Sequence, residues 1–192
     1  MNWETYLALG DSITIGARTY QGYPEFAGRN LQTSLQKYWN VINHAVSGYT
    51  AIDLVRYVDL HFATLLKHES SFTTIMIGTN DVKNDTSVEN FTIALNQLIL
   101  KAKLLTTSSK VVVLSIPHFP KGVMYPYTYD MNAKISEFNR VIELISNEHT
   151  VQNLQVQLDS SELFDGVHLN EIGVEKVAKL VSDYVLAERG IN

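Results

Sequence analysis

The sequence predicts an α/β fold in which a five-stranded parallel sheet is covered by helices on both faces. Five short apolar runs of strand length alternate with segments that have the apolar periodicity of helices. This alternation from one end to the other is typical of a parallel sheet joined by right-handed crossovers. No internal repeat, low-complexity tract or linker interrupts the 192 residues, so we expect one domain over residues 1–192.

The predicted strands are identified by short, buried-type apolar runs. They cover residues 6–9, 41–45, 74–77, 111–116 and 154–158. The fourth run reads Val-Val-Val-Leu-Ser-Ile, and a β-branched, nearly continuous run of this kind is typical of a strand covered on both faces.

The predicted helices place apolar side chains along one stripe. They cover residues 51–67, 88–105, 132–146 and 172–185. Asn170 is positioned to cap the last of them. A further helix is expected around residues 24–38, although Gly28 and Asn30 lower its intrinsic helix propensity.

Composition excludes several classes of function. The net charge is −5 and the 15 basic residues are scattered, which argues against a nucleic-acid or anionic membrane partner. There is no cysteine, so disulfides, thiolate metal sites and cysteine nucleophiles are excluded. No apolar run approaches the roughly 20 residues that cross a bilayer, and no signal peptide is visible at the N-terminus. We expect a cytoplasmic protein, unless a signal peptide has been removed, and the oligomeric state stays open.

Reactive, polar and glycine residues gather where predicted strands end. Gly10-Asp11-Ser12 follows the first strand, Ser47-Gly48 the second, Gly78-Thr79-Asn80-Asp81 the third, and Asp165-Gly166-Val167-His168 comes after the fifth. In open α/β sheets, ligands bind beyond the carboxyl ends of the strands, which meet at one edge. The convergence of these groups at one edge is a stronger indication of function than any single motif.

Ser12, Asp165 and His168 are the candidate catalytic residues. A serine hydroxyl becomes a good nucleophile when a neighbouring base removes its proton, and Gly10 allows a tight turn that would expose Ser12. At a spacing of three residues, Asp165 can hold one ring nitrogen of His168 and leave the other for Ser12. Taken singly, Gly-Asp-Ser is more often a helix cap and Asp-x-x-His a surface turn.

Ester hydrolysis also needs hydrogen-bond donors for the oxyanion of the tetrahedral intermediate. The backbone amides of Ser12 and Gly48 and the side-chain amide of Asn80 are the candidate donors. A simple turn at Gly48 and an Asx turn at Asn80 are the structural alternatives. This chemistry requires neither a cofactor nor a metal ion. Among the other histidines, His118 follows the fourth strand and is a candidate pocket residue.

These blocks resemble the SGNH hydrolases, also called the GDSL family of esterases and lipases, and especially their short bacterial acylhydrolases. The matching residues are Gly10-Asp11-Ser12-Ile13-Thr14, Gly48, Gly78-Thr79-Asn80-Asp81 and Asp165 to His168. Ile13-Thr14 departs from the Ser-Leu of the family name. The resemblance, over roughly residues 5–185, implies a three-layer α/β/α fold of flavodoxin-like type and a Ser, Gly, Asn, His tetrad without a cofactor. It assigns Ser12 as nucleophile and oxyanion donor, Gly48 and Asn80 as further donors, and His168 as the base held by Asp165.

Other functions fit less well. A receiver-like phosphotransfer module would need paired acids after the first strand and a lysine after the fifth, and both are missing. No phosphate-binding Gly-Lys-Ser or Gly-Lys-Thr and no His-Glu-x-x-His metal motif occurs. A binding module that has kept the fold and lost activity stays open. If the protein is an enzyme, we expect a small-molecule ester substrate. Three activities are then candidates: a short-chain or sugar O-acetyl esterase, a lysophospholipase and a thioesterase.

Two aromatic segments flank the predicted site and suggest a substrate class. Tyr20 and Tyr23 follow Ser12, and the predicted loop at residues 117–131 carries further aromatic side chains at Phe119, Tyr125, Tyr127 and Tyr129. Tyrosine offers a flat face with a polar tip, which suits a compact, partly polar ester or a sugar ring. We therefore expect a preference for acetyl to butyryl esters. Packing of these tyrosines against the protein body is the alternative.

Overall fold

The computed structural model describes residues 3–107 and 110–191. Its five strands form one fully parallel sheet in the order β2-β1-β3-β4-β5. The strands are β1 (Trp3–Gly10), β2 (Tyr38–Asn43), β3 (Phe72–Met76), β4 (Val111–Leu114) and β5 (Gln152–Leu154). The predicted fold class, a parallel five-stranded sheet with helices on both faces, is confirmed.

Helices connect the strands. They are α1 (Ser12–Ile15), α2 (Tyr23–Leu35), α3 (Ala51–Leu66), α4 (Thr79–Lys83), α5 (Val88–Leu105), α6 (Asn132–Glu148) and α7 (Glu171–Glu188). Two short 3₁₀ helices, Tyr129–Met131 and Ser160–Glu162, lie in the longer connections. No helix in the described ranges is both long enough and apolar enough to cross a membrane.

Successive side chains of the buried strands pack into two separate cores, because neighbouring residues of a strand point to opposite faces of the sheet. On β1, Leu7 and Leu9 pack with α3, α5 and α6, whereas Tyr6 and Ala8 pack with α2 and α7. All four side chains are fully buried. The strand that leads to Ser12 is therefore packed on both faces.

All five strands differ from their predicted limits, and the two edge strands differ most. β2 was expected at residues 41–45 but spans Tyr38–Asn43, and Tyr38, Trp39 and Asn40 pair with the first half of β1. β5 was expected at residues 154–158 but ends at Leu154. Beyond that point the backbone N–H of Val156 donates to the Ser115 side chain at 2.8 Å and not to a strand partner. Edge strands are exposed on one side, so apolar runs mark their limits poorly.

Helix α2 forms despite Gly28 and Asn30. Its buried face contains Ala27, Gly28 and Leu31, which pack against the sheet. Pro24 stands in the first turn, where its missing N–H has no helical partner to lose. Burial of this face therefore outweighs the low helix propensity of two of its residues.

The amino end of β1 carries a partly buried ion-pair cluster. The carboxylate of Glu4 accepts hydrogen bonds from Lys37 Nζ at 2.6 Å, from Arg189 Nη1 at 2.8 Å and from Ser71 Oγ at 3.3 Å. Burial alone would raise the pKa of Glu4, but the Arg189 and Lys37 side chains lower that pKa to about 2. This cluster joins the first strand to the end of α7.

Candidate active site

Ser12 is placed by the junction between β1 and α1. Asp11 caps α1 through a hydrogen bond from the Ile13 N–H to Asp11 Oδ1 at 3.0 Å, and Ser12 is the first helical residue. Gly10 ends the strand where a side chain has no room: an added Cβ would lie 2.1 Å from Thr14 Oγ1. The cap considered as an alternative to catalysis is thus present, and it orients Ser12.

Asp165, His168 and Ser12 form a continuous hydrogen-bonded series. His168 Nδ1 lies 2.8 Å from Asp165 Oδ2, and His168 Nε2 lies 3.0 Å from Ser12 Oγ. Asp165 Oδ1 also accepts the backbone N–H groups of Val167, at 3.1 Å, and His168, at 2.8 Å. The structure therefore brings together the three residues predicted as a triad from opposite ends of the chain.

The Asp165 carboxylate is stabilised in its charged form. Burial would raise its pKa, but hydrogen bonds from the backbone and side chain of His168 hold the pKa below its ordinary value. Arg18 Nε lies 3.5 Å from Asp165 Oδ2, and the guanidinium stands 5.8 Å from the centroid of the Phe164 ring. Arg18 was not predicted, since a lone arginine in a loop reads as a solvated residue.

The candidate oxyanion donors lie on adjoining segments. Gly48 sits between β2 and α3 with φ +84°, a left-handed conformation that favours glycine. The Val46 N–H donates to Gly10 O at 3.0 Å, which ties the Gly48 loop to the strand that carries Ser12. Asn80, on α4, donates from Nδ2 to Tyr49 O at 3.1 Å. These bonds hold the segments of Ser12, Gly48 and Asn80 against one another.

Asn80 has a second side-chain partner that sequence reasoning missed. Lys83 Nζ donates to Asn80 Oδ1 at 3.1 Å, from the last residue of α4. Asn80 is 3% exposed and Lys83 is half-buried. A lysine in the last turn of a helix is ordinarily explained by the helix dipole, so nothing in the sequence points to this contact.

Two buried carboxyl groups lie beside the site. Burial raises the pKa of Asp11 to about 7, an effect that the Ile13 N–H opposes and nearby Asp81 reinforces. Burial raises the pKa of Asp81 to about 6, although Asp81 Oδ2 accepts the Ala51 N–H at 2.8 Å. Strongly perturbed acids of this kind cluster at functional sites.

The connection after β4 reaches the triad. The Met124 N–H donates to Asp165 O at 3.2 Å, which fastens this connection to the loop that carries Asp165. Tyr127 is half-buried with its ring packed against Phe119, the centroids 5.1 Å apart. Burial, followed by the nearby charges of Asp11 and Asp165, raises the pKa of Tyr127 to about 12. A substrate role for Tyr127 stays a prediction.

Two residues expected to contact substrate are buried in the cores. Tyr23 is fully buried beneath α2, and Phe119 is 3% exposed in the opposite core, so for both a substrate role stays a prediction. Their rings complete cores that apolar periodicity alone had not assigned to them. Tyr20 and Tyr125 are almost fully exposed, at 98% and 94%. His118 is exposed, and its Nε2 lies 3.0 Å from Ser136 Oγ on α6. For these three a substrate role stays a prediction.

Within the described residues, no group of three or more histidine or acidic side chains is arranged to hold a metal ion. Ser12 is hydrogen-bonded to a histidine that is itself hydrogen-bonded to a carboxylate. These are the groups that acyl transfer through a serine uses.

Comparison with known proteins agrees with this geometry. The chain matches the GDSL-like lipase/acylhydrolase family over residues 8–176, whereas no curated protein matches it. Among solved structures it resembles Axe2, an acetylxylan esterase from Geobacillus stearothermophilus, with a TM-score of 0.72 at 21% identity over 98% of this chain and 95% of that chain. A catalytic mutant of Axe2 gives a TM-score of 0.74 at 22% identity over the same shares.

A third structure is LAE5, an alpha/beta hydrolase enzyme from the metagenome of Lake Arreo, Spain. It gives a TM-score of 0.71 at 18% identity over 97% of this chain and 95% of that chain. At such identities these likenesses establish a common fold, and the family match over most of the chain establishes the kind of enzyme. The chain belongs to the GDSL-like lipase/acylhydrolase family and is a carboxylic ester hydrolase.

Proposed function

We propose that this protein is a serine esterase that works through an acyl-enzyme on Ser12. The observation that carries the proposal is the unbroken series from Asp165 to His168 to Ser12, at 2.8 and 3.0 Å. Both distances are within the reach required for proton transfer between a nucleophile, its base and the group that orients the base.

The reaction has two halves. His168 Nε2 accepts the Ser12 proton as Oγ attacks the ester carbonyl, and the collapsing tetrahedral intermediate expels the alcohol, which takes that proton from His168. Water, deprotonated in turn by His168, then attacks the acyl-enzyme. Collapse of the second intermediate releases the carboxylic acid and returns the proton to Ser12. Asp165 stays charged throughout and stabilises the imidazolium.

The oxyanion of each intermediate would accept hydrogen bonds from the N–H groups of Ser12 and Gly48 and from Asn80 Nδ2. The adjoining positions of the three segments support this assignment. Asn80 Nδ2 carries two hydrogens and gives one to Tyr49 O, so one hydrogen is left for the oxyanion. Fixed donors act most strongly where charge develops, because they need no reorganisation during the reaction.

The proposal includes a pH dependence. Only neutral His168 can accept the Ser12 proton, so turnover should fall as acidification protonates it. The pKa of Asp165 is held below its ordinary value, so Asp165 remains charged across that range. Activity should be unchanged by EDTA, since no step uses a metal ion. Loss of activity in EDTA that a divalent ion restores would contradict the mechanism.

For the substrate, we propose esters with short acyl groups, including O-acetyl groups on sugars. The exposed rings of Tyr20 and Tyr125, with the guanidinium of Arg18 between the triad and Phe164, offer flat faces and polar groups that suit a sugar ring. The structural resemblance to an acetylxylan esterase is consistent with this class. Lysophospholipase and thioesterase activities, or a catalytically inactive binding module, remain the alternatives.

A substrate panel tests the proposal. Rates would be measured on p-nitrophenyl esters from acetyl to laurate, on acetylated xylo-oligosaccharides, on a lysophospholipid and on an acyl-thioester. We expect kcat/KM to be highest for acetyl to butyryl groups. A steady rise to C12 and beyond would contradict the short-chain proposal and favour a lysophospholipase or thioesterase. Absence of fluorophosphonate labelling at Ser12 would favour a binding module.

A further inference from the structure

The side-chain amide of Asn80 is fixed at both of its polar atoms. Nδ2 donates to Tyr49 O at 3.1 Å, and Oδ1 accepts from Lys83 Nζ at 3.1 Å. Rotating the amide by 180° would set Oδ1 against the Tyr49 carbonyl and the NH₂ group against the Lys83 ammonium, so both contacts would become repulsive. The pair of contacts therefore determines which way the Asn80 donor points.

The charge of Lys83 is directed to this amide. Among the described residues, Lys83 makes no ion pair with a carboxylate within 4.0 Å, whereas lysines such as Lys176 and Lys179 on α7 do. The field of Lys83 also reaches Asp11, next to Ser12: burial raises the pKa of Asp11, and the Lys83 charge partly offsets that rise. The charge of Lys83 is therefore felt in the segment that carries Ser12 as well as at Asn80.

We propose that Lys83 is a positioning residue for ester hydrolysis, which holds and polarises the Asn80 amide so that its free N–H binds the oxyanion. A hydrogen bond from an ammonium group to an amide oxygen is charge-assisted, and it draws electron density away from the amide nitrogen. The N–H opposite then becomes a stronger donor, as in any hydrogen-bonded chain in a poorly solvated site. This inference rests on the proposed function, because it needs Asn80 to be an oxyanion donor.

A purely structural role for Lys83 would give a different experimental result. A lysine at the end of a helix stabilises that helix slightly, because its positive charge interacts favourably with the helix dipole. If that were the whole role of Lys83, its removal would lower stability slightly and leave the kinetic constants in place. Turnover and stability must therefore be measured on the same variants.

The test compares Lys83→Met, Lys83→Gln and Lys83→Arg, with Lys179→Met as a matched lysine control on the surface of α7. We expect Lys83→Met to lower kcat on a short-chain ester about tenfold, a fraction of the about 10²–10³-fold cost of losing an oxyanion donor. KM should change less than twofold. Lys83→Gln, a donor without charge, should recover part of kcat, and Lys83→Arg most of it. Unchanged kcat in folded Lys83→Met, or in Lys83→Gln should the Met variant not fold, would overturn the proposal.

A double-mutant cycle with Asn80→Ala separates this inference from the proposed function. If Lys83 acts through Asn80, adding Lys83→Met to Asn80→Ala should not lower kcat further. Additive losses would overturn the inference and leave the oxyanion role of Asn80 intact. A normal kcat in Asn80→Ala alone would instead contradict the proposed oxyanion site. Fluorophosphonate labelling of Ser12 in every variant reports separately on the nucleophile.

Discussion

Glu4 and Asp11 lie at opposite ends of the same strand region and have opposite surroundings. Glu4, near the start of β1, is bound by Lys37 and Arg189, and the pKa of its carboxyl falls to about 2. Asp11, directly after β1, is 1% exposed, and Asp11 Oδ2 has no hydrogen-bond partner among the described residues. Burial raises the pKa of Asp11 to about 7.

The different surroundings of Glu4 and Asp11 suggest that one end of β1 serves stability and the other serves function. At the amino edge of the sheet, the half-buried carboxylate of Glu4 is paired with two cations, which strengthens the fold. At the carboxyl edge, the buried carboxyl groups of Asp11 and Asp81 each keep one oxygen without a hydrogen-bond partner among the described residues. Active sites commonly keep such unfavourable groups, and the rest of the fold compensates for them. Changes at the carboxyl edge should therefore alter turnover or pH dependence, and changes at the amino edge should alter stability alone.

The largest expected effect is at the carboxyl edge. Ser12→Ala should lower kcat by roughly 10⁴–10⁶-fold, because the remaining groups can only bind substrate and stabilise the oxyanion. The melting temperature should stay close to that of the wild type, since no core contact is lost. Ser34→Ala, at an exposed position on α2, is the control. Near-wild-type turnover in folded Ser12→Ala would contradict the assignment of the nucleophile.

Asp11→Asn tests the poorly matched carboxyl directly. Asparagine keeps the cap on α1 but cannot ionise. In the wild type, the folded-state pKa of about 7 exceeds the ordinary 3.8, so the stability that Asp11 contributes is lost as pH rises from about 4 to about 7. Over this pH range, the free energy of unfolding of the variant should therefore rise relative to that of the wild type, by up to about 4 kcal/mol. Urea unfolding at pH 4, 6 and 8 measures it, and a difference that does not change with pH would show that Asp11 is not perturbed.

Asn80→Ala should lower kcat about 10²–10³-fold with little change in KM. An oxyanion donor acts in the transition state, so its loss appears in turnover and not in substrate binding. Steady-state kinetics on a short-chain ester provide the measurement. A change confined to KM would instead make Asn80 a substrate-binding residue.

The smallest expected effect is at the amino edge. Glu4→Gln should lower the free energy of unfolding by about 2 kcal/mol at pH 7, because it removes charged hydrogen bonds to Lys37 and Arg189. The folded-state pKa of Glu4 is depressed, so this stability is present above pH 4.5 and is lost as pH falls towards 2. Turnover should not change. Glu175→Gln, at an exposed position on α7, is the control. If Glu175→Gln lowered the free energy of unfolding as much as Glu4→Gln does, the ion pairs of Glu4 would not be the source of the loss.

The sequence was sufficient to predict that Ser12, Asp165 and His168 come together. Ser12 follows a strand directly, and Asp165 and His168 are close in sequence, so few alternatives had to be considered. The expected hydrogen bonds between the three residues are present at 2.8 and 3.0 Å. Their catalytic roles remain predictions until the variants are measured.

The features that could not be predicted from the sequence depend on where side chains point in the folded protein. Tyr23 is of a residue type that is common in binding pockets. Only the packing of α2 on the sheet shows that its ring is buried. Lys83 and Arg18 carry charges that a sequence assigns to solvent, since nothing local says that they reach Asn80 and Asp165. The limits of β5 were wrong because Ser115 replaces a strand partner, a substitution that hydropathy does not reveal.

The distance along the chain between Ser12 and His168 has a consequence for biosynthesis. The two residues are 156 positions apart, so Ser12 emerges from the ribosome long before His168. At about 5–20 residues per second, the gap is roughly 8–30 s. Throughout that interval the nascent chain carries Ser12 without the histidine that we propose as its base. Incomplete chains should therefore not cleave esters, and the onset of activity should coincide with docking of the His168 loop against the end of β1.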